Sequence, residues 1–520
     1  MALVVVIMAL IYSLPAVLQK RPQGVHSWRQ TDCLAFSYQY YYNGLRFFEP
    51  SIMQYGWNDF QTNQTVGESP LLYYVVAAIW KVTGIHEWIF RALVFTLFFW
   101  GLMALYRILM RIGVPFFWSV ASTALLFTSP CLAYYSAAFL TDAAAMGLAF
   151  VATEQFIRYV DFKKSNNLVW SAILFIIAGW LKITALILFG VIPVLLVAQL
   201  IGFKLASSGK LFTHPRVIWK YALWTISSVV LWYHWANLYN AHHLAWFTSN
   251  AIMPIWELTD ARIQNVTKLL LETCIYTALN PISLWFHCAV LLGILVAIRW
   301  MKPIEWIVLA AITGASAIYF VCFYVAFDVH DYYFVNIMIF PLALVISLLL
   351  VLKRMKLTWI ENVPVKIAYS IIVLYSTYYS AIHIKLRYNP PMPDENLVWI
   401  DDRKANHGVY SYTAWDWGKR FRACETVEPY LNELGVTRDK KIISLSDVSY
   451  NITLVLMNRT GWNENTMRDE EDLKYMIRNG AEYIILNNDM PLEEYPFLTK
   501  YLNHQIGEYF NLKIYQIPQV

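Results

Sequence analysis

The chain has 520 residues, is 58% hydrophobic and only 14% charged, and carries a net charge of +5. A soluble globular chain carries roughly 25% charged residues. That excludes a single water-soluble domain, and the same composition excludes disorder, collagen and a nucleic-acid-binding domain. The charge is also uneven: residues 389–520 are net −6 and residues 1–388 net +11. A basic membrane domain over 1–388 and an acidic α/β domain over 389–520 are therefore expected.

A membrane span needs about 20 apolar residues to cross roughly 30 Å of hydrocarbon. Eleven are expected, near 2–18, 88–109, 116–135, 143–160, 168–181, 183–203, 217–238, 282–299, 304–327, 333–352 and 366–386. The first has no basic n-region and no A-x-A cleavage site. It reads as an anchor helix, with the start of the chain clipped. The stretch 168–203 is long for one span and short for two, and reads as a tight hairpin with Lys182 near the bend. The 17% of aromatic residues suit membrane-interface belts. Six cysteines are scattered without a C-x-x-C pair, which gives no zinc or disulfide framework.

Lys and Arg fix the orientation. With the N-terminus inside, the inner loops collect Arg107, Arg111, Arg158, Lys163, Lys164, Lys204, Lys210, Arg299, Lys353 and Arg354. Eleven spans then place the C-terminal domain outside. If 168–203 is a single span, the parity flips.

The loop over 19–87 is long, and long loops are uncommon unless functional. It opens with His26-Ser27-Trp28-Arg29-Gln30-Thr31-Asp32 and closes with Glu68-Ser69-Pro70-Leu71-Leu72-Tyr73-Tyr74. Asp32 alone reads more readily as a solvated loop acid. Asp142 sits at the mouth of the fourth span, where a carboxylate also serves as a helix N-cap. The His242-His243 pair points its rings in different directions on a helix, an interfacial arrangement more often than a metal site. Asp328-Val329-His330-Asp331-Tyr332-Tyr333 is a polar knot between apolar spans, and charge at membrane depth is costly and usually functional. Lys182 either snorkels or meets an anion.

These groups come from separate loops, yet the charge-derived topology puts them on one side. A transporter would place its polar groups mid-span at broken helices. Crowding at one mouth suits an active site for a lipid-embedded substrate. A lipid-linked sugar or polysaccharide transporter or flippase is the alternative. A non-enzymatic receptor leaves the gathered acids unexplained.

The run H-S-W-R-Q-T-D, the later E-S-P-L-L-Y-Y, the segment S-P-C-L-A-Y-Y-S-A-A-F-L-T-D and V-H-D-Y-Y-F together resemble the outer loops of GT-C glycosyltransferases. The resemblance covers roughly residues 20–350. It is closest to the bacterial protein-mannosyltransferase-like and aminoarabinose-transferase-like group, the glycosyltransferase family 39/83-like enzymes. It implies an inverting transfer, at the outer face of the plasma membrane, from a polyprenyl-phosphate sugar donor to a glycan, lipid or protein acceptor. It implies Asp32 as catalytic base, with Asp142 the second catalytic acid. Glu68, Lys182, His330 and Arg29 fall near the donor phosphate or a metal. His26, Trp28, Gln30, Tyr332, Tyr333 and His243 fall to the substrate pocket. No cofactor is required by this reading. A divalent metal ion is the one it allows, with Glu68 and His243 as ligands. Where aminoarabinose transferases follow the Glu with Lys, this chain has Ser69, which leaves Lys182 and Arg29 as the candidates for that cation.

In the tail, helices are expected over 427–434 and 470–478, and strands over 440–445, 481–487 and 513–517. No G-x-G-x-x-G or Walker A run is present. The tail reads as a lid or docking module. Sequons stand at Asn63, Asn265, Asn451 and Asn458.

Overall fold

The computed structural model describes residues 1–206, 210–245, 252–388, 420–488 and 490–518. Among them, six helices are long and apolar enough to cross a membrane: Trp88–Arg111, Ile183–Leu200, Pro281–Trp300, Pro303–Cys322, Asp331–Arg354 and Val363–Tyr388. Shorter apolar helices cover Ala2–Ile11, Phe116–Phe127 and Ser165–Leu181. Asp142–Phe162 and Pro215–His242 occupy two further expected stretches. All eleven expected stretches carry helix; local chemistry breaks the first and the third, and the chain also turns where a bend was expected, at Lys182. Left-handed Ser13, at φ 56°, divides the first into Ala2–Ile11 and Leu14–Leu18. Pro130 lacks a backbone donor, and a new helix, Pro130–Tyr135, starts there. Extended backbone at Lys182 separates Ser165–Leu181 from the turn Ile183–Leu186 and helix Ile187–Leu200. The latter packs chiefly against Pro303–Cys322.

Helices Trp88–Arg111 and Asp142–Phe162 meet backbone to backbone. A Cβ on Gly101 would overlap the Gly147 backbone, and one on Gly147 would overlap Leu97 and Phe98. Close approach through small residues is how helices associate where lipid removes the hydrophobic drive. Gly147→Ala is expected to lower the thermal midpoint, overpacking costing about 1–3 kcal/mol. Gly314→Ala, with nothing within 4 Å of its new Cβ, is the control. Equal midpoints would remove the close-packing argument.

The long loop 19–87 is largely structured. Helices Ser27–Asn43 and Leu71–Thr83 pack on each other. Phe36 stacks on Tyr73 at 5.4 Å, and Tyr40 meets Tyr74 edge-on at 5.4 Å.

The tail forms a five-stranded sheet from β1 (Lys441–Leu445), β2 (Thr460–Asn463), β3 (Ala481–Asn487), β4 (Gln505–Tyr509) and β5 (Leu512–Gln516), in the order β2-β1-β3-β5-β4. The β2-β1-β3 pairings are parallel, and β5 and β4 are antiparallel. The expected helices appear at Glu428–Glu433 and Glu470–Arg478. Strands β2 and β4 and helix Ile452–Leu456 escaped the sequence reading. β2 is four residues with a glycine inside, and a Cβ on Gly461 would strike the backbone of Ile442. The expected boundary near 388 adjoins a segment outside the described residues.

The tail is joined to the long loop. Gly461 bonds Tyr55 and Met53 through the backbone at 2.8 and 3.2 Å. Helix Ile452–Leu456 packs on Ser27–Asn43. Arg21 pairs with Glu87 and donates to the Leu456 carbonyl at 2.7 Å. Asn451 and Asn458 are buried by these contacts, so neither sequon has room for a glycan in this fold.

Candidate active site

Helix Ser27–Asn43 begins after His26, whose φ is +56°. Residues three and four apart share a helix face, so Arg29, Asp32 and Cys33 face one way. A cleft of about 660 Å³ opens there. One wall holds His26, Trp28, Arg29 and Asp32, and the other holds Asp328 to Tyr332. Asp32 is only 3% exposed. Its Oδ1 accepts a bond from Asn451 Nδ2 at 2.8 Å. Burial pushes its carboxyl up to about 7, against the pull of Arg29 and the Asn451 bond.

From Asp32 the charges alternate. Arg29 ion-pairs with Glu68. The Tyr73 hydroxyl donates to Glu68 Oε1 at 3.2 Å. Burial alone would raise the Glu68 carboxyl, but Arg29 and Lys182 outweigh it and hold it below its ordinary value. Lys182 Nζ lies 3.3 Å from Asp142 Oδ1, and 5.4 and 5.7 Å from the Tyr332 and Tyr333 ring centres. Asp32, Arg29, Glu68, Lys182 and Asp142 thus form one buried network assembled from distant segments. Two cations lie among three carboxylates, which suits a site for a charged group.

Several expectations change. Asp142 is not a cap: Thr141 holds the N-cap position, and Asp142 faces Lys182. Gln30 does not line the cleft. Its amide donates to Tyr134 and the Val25 carbonyl, both at 3.2 Å, and accepts from Phe139 N–H at 3.4 Å. It is a structural tie. Burial and the neighbouring His26 lower His330 to about 4, which favours the neutral imidazole where no anion lies beside it. It stacks on His26 at 5.3 Å. Trp28 meets Tyr450 of the tail edge-on at 5.3 Å. Tyr333 packs face to face with Tyr319 at 6.2 Å.

The residues do not fit a divalent ion. Glu68 is engaged by Arg29 and Tyr73, and His243 lies against Tyr239 and His242 at 4.6 and 4.8 Å. Among the described residues, no group of three or more His, Cys, Asp or Glu converges as a metal site.

The structure also shows how the expected polar knot is held. Asp331 is held by Arg387, by the Tyr135 hydroxyl at 2.5 Å, and lies 3.4 Å from His26 Nε2. Asp328 pairs with Arg262 at 2.5 Å. Two residues escaped the sequence reading: Arg387 lies just past the last expected span, 366–386, and Asn451 carried no signal beyond its sequon.

The helical arrangement and the sheet domain after it have counterparts among solved structures. Over 99% of this chain and 97% of the other, ArnT from Cupriavidus metallidurans in the apo state superposes with a TM-score of 0.61 at 11% identity. ArnT bound to undecaprenyl phosphate gives 0.58 at 12%, with the same coverage. The oligosaccharyltransferase AglB from Archaeoglobus fulgidus, in complex with an inhibitory peptide and a dolichol-phosphate, gives 0.50 at 14%, over 99% of this chain and 76% of that one. The chain has the GT-C fold. No protein-family model and no curated protein matches it in sequence. The GT-C likeness is thus carried by architecture rather than identity.

Proposed function

We propose that this GT-C chain is an integral-membrane glycosyltransferase. It moves a sugar from a polyprenyl-phosphate donor to a hydroxyl of a glycan, lipid or protein on the extracytoplasmic side. The observation that carries this reading is Asp32: a buried carboxyl on a cleft wall, raised to about 7, beside Arg29. A general base works best with its pKa near the working pH. Undecaprenyl phosphate in ArnT and dolichol-phosphate with a peptide in AglB support the classes of donor and acceptor.

In the proposed step Asp32 takes the proton of the acceptor hydroxyl. The acceptor oxygen forms a bond to the anomeric carbon, and the bond from that carbon to the donor phosphate oxygen breaks. The bonding pair leaves on the phosphate, and the sugar configuration inverts. Arg29 and Lys182 stabilise the departing charge. Glu68 and Asp142 hold those two cations in position. No part of the step is assigned to a metal.

The test is a panel of polyprenyl-phosphate sugars with the purified protein in lipid. Release of free polyprenyl phosphate together with a glycosylated acceptor is expected. Movement of intact lipid-linked sugar across vesicles, with no glycosidic bond broken, would favour the flippase instead. Because the carboxylate is the active form, kcat/KM should fall about tenfold per pH unit below the Asp32 pKa, which lies near 7. An acid limb near pH 4 would overturn the raised carboxyl of Asp32, and the absence of an acid limb would remove Asp32 from the base role.

A further inference from the structure

The tail domain reaches the cleft through the turn that follows β1. Strand β1 ends at Leu445, and the chain turns through Ser446 at φ 77°. The turn that follows is tied down by Asp447. Its carboxylate accepts from Ser449 N–H at 2.8 Å, Thr453 N–H at 2.8 Å and the Thr453 hydroxyl at 2.6 Å. Ser449 Oγ in turn accepts from Ile452 N–H at 2.9 Å. This turn presents Asn451, which is fully buried. Met53 N–H donates to Asn451 Oδ1 at 3.0 Å. A backbone N–H can only donate, so this bond fixes which end of the amide is oxygen. The amide nitrogen must then face Asp32, and it does, at 2.8 Å from Oδ1.

We propose that the C-terminal domain completes the active site, with Asn451 as the positioning residue of Asp32. The proposal rests on the reading of Asp32 as base. The amide occupies one carboxylate oxygen and leaves the other for the acceptor proton. Its donor end is set by the long loop through Met53, so docking of the tail and orientation of the base are one event. The tail is therefore a part of the catalytic centre rather than an appended module. A tail displaced from the long loop leaves Asp32 without this partner.

Asp32 has other charged neighbours, and the test must separate them. Arg29 lies on its own helix and Glu68 on the same loop. Asp447 and Tyr450 approach from the tail. Asp328, His330 and Asp331 face it across the cleft. Of all these, only Asn451 donates a hydrogen bond to Asp32 among the contacts described. A bond to the charged form favours that form. Its loss should raise the pH at which the base becomes active.

The experiment compares pH profiles of kcat/KM for the full-length wild type, Asn451→Ala and Asn451→Asp, with thermal midpoints recorded alongside. Asn451→Asp keeps the size and the acceptor for Met53 but loses the donor. Asn451→Ala should move the acid limb up by about one pH unit, a charge-assisted bond being worth roughly that much. Asn451→Asp should move it further, because two adjacent carboxyls resist ionising together. A merely structural asparagine would lower the midpoint and leave the limb in place. Unmoved limbs in folded variants, or failure of both variants to fold, would overturn the proposal. If Asp32→Asn keeps its turnover, the base reading itself fails. If Asp32→Asn is inactive while both limbs stay put, only the role of Asn451 fails.

Discussion

Asp32→Asn is expected to lose turnover by about 10²–10⁴-fold, the usual worth of general-base assistance, while still binding a polyprenyl-phosphate sugar. Asparagine keeps the size of the side chain and still accepts the Asn451 bond, but it cannot take a proton. Removing a carboxylate next to an anionic phosphate should leave donor affinity unchanged or tighter. Loss of a metal ligand would do the reverse, weakening the donor and responding to added divalent ion. Stability separates the readings again. The Asp32 carboxyl is raised to about 7 in the fold, whereas an unfolded Asp titrates near ~3.9. A raised carboxyl contributes its stability below the unfolded value and loses it as pH rises through the folded one. Charged Asp32 therefore strains the fold at pH 8, and the Asn variant does not. Its thermal midpoint should match or exceed wild type at pH 8, with the difference closing towards pH 5. Turnover within a few-fold of wild type would end the base assignment.

That trade of stability for a poised base explains why the site was partly legible in the sequence. In so apolar a chain, charges from separate loops gathered on one side of the membrane need a reason to be there. Asp32, Glu68, Asp142 and Lys182 stood out on that ground, and the fold brings them into one network. The residues that escaped notice are those whose role depends on long-range contact. Asn451 is a neutral amide 419 positions from its partner, and nothing local marks it. Arg387 lies just past the last expected span, and its partner Asp331 is 56 positions away. Gln30 misled in the opposite direction, because a polar residue inside a functional motif can serve the fold alone. For Asp142 the sequence left a helix cap open beside the site role, because a carboxylate where a helix begins serves either, and the position of Lys182 places it in the network. The tail helices and the three central or long-run strands followed from composition. β2 did not, because its four residues gain their stability from β1 and the Met53 segment rather than from their own pattern.

Arg387→Leu is expected to destabilise the fold by about 3–5 kcal/mol, the cost of leaving one member of a buried ion pair behind. Arg387 and Asp331 have side chains only 1% and 4% exposed. The guanidinium also lies over the Tyr134 ring at 4.4 Å and the Tyr135 ring at 5.9 Å. Without it, Asp331 keeps only the Tyr135 hydroxyl and the approach of His26. The pair joins the end of helix Val363–Tyr388 to the cleft wall, so its loss should also loosen the wall that faces Asp32. Arg387→Leu with Asp331→Leu removes both charges, and replacing a buried pair by apolar side chains is often neutral or better. The double variant should recover most of the midpoint lost by the single one. Catalysis should not recover with it, because His26 and Tyr135 lose the carboxylate that they share. Measured as a double-mutant cycle in detergent or lipid, strong coupling between the two positions is the expected result. Additive losses would mean that packing against the tyrosine rings, and not the ion pair, holds this wall in place.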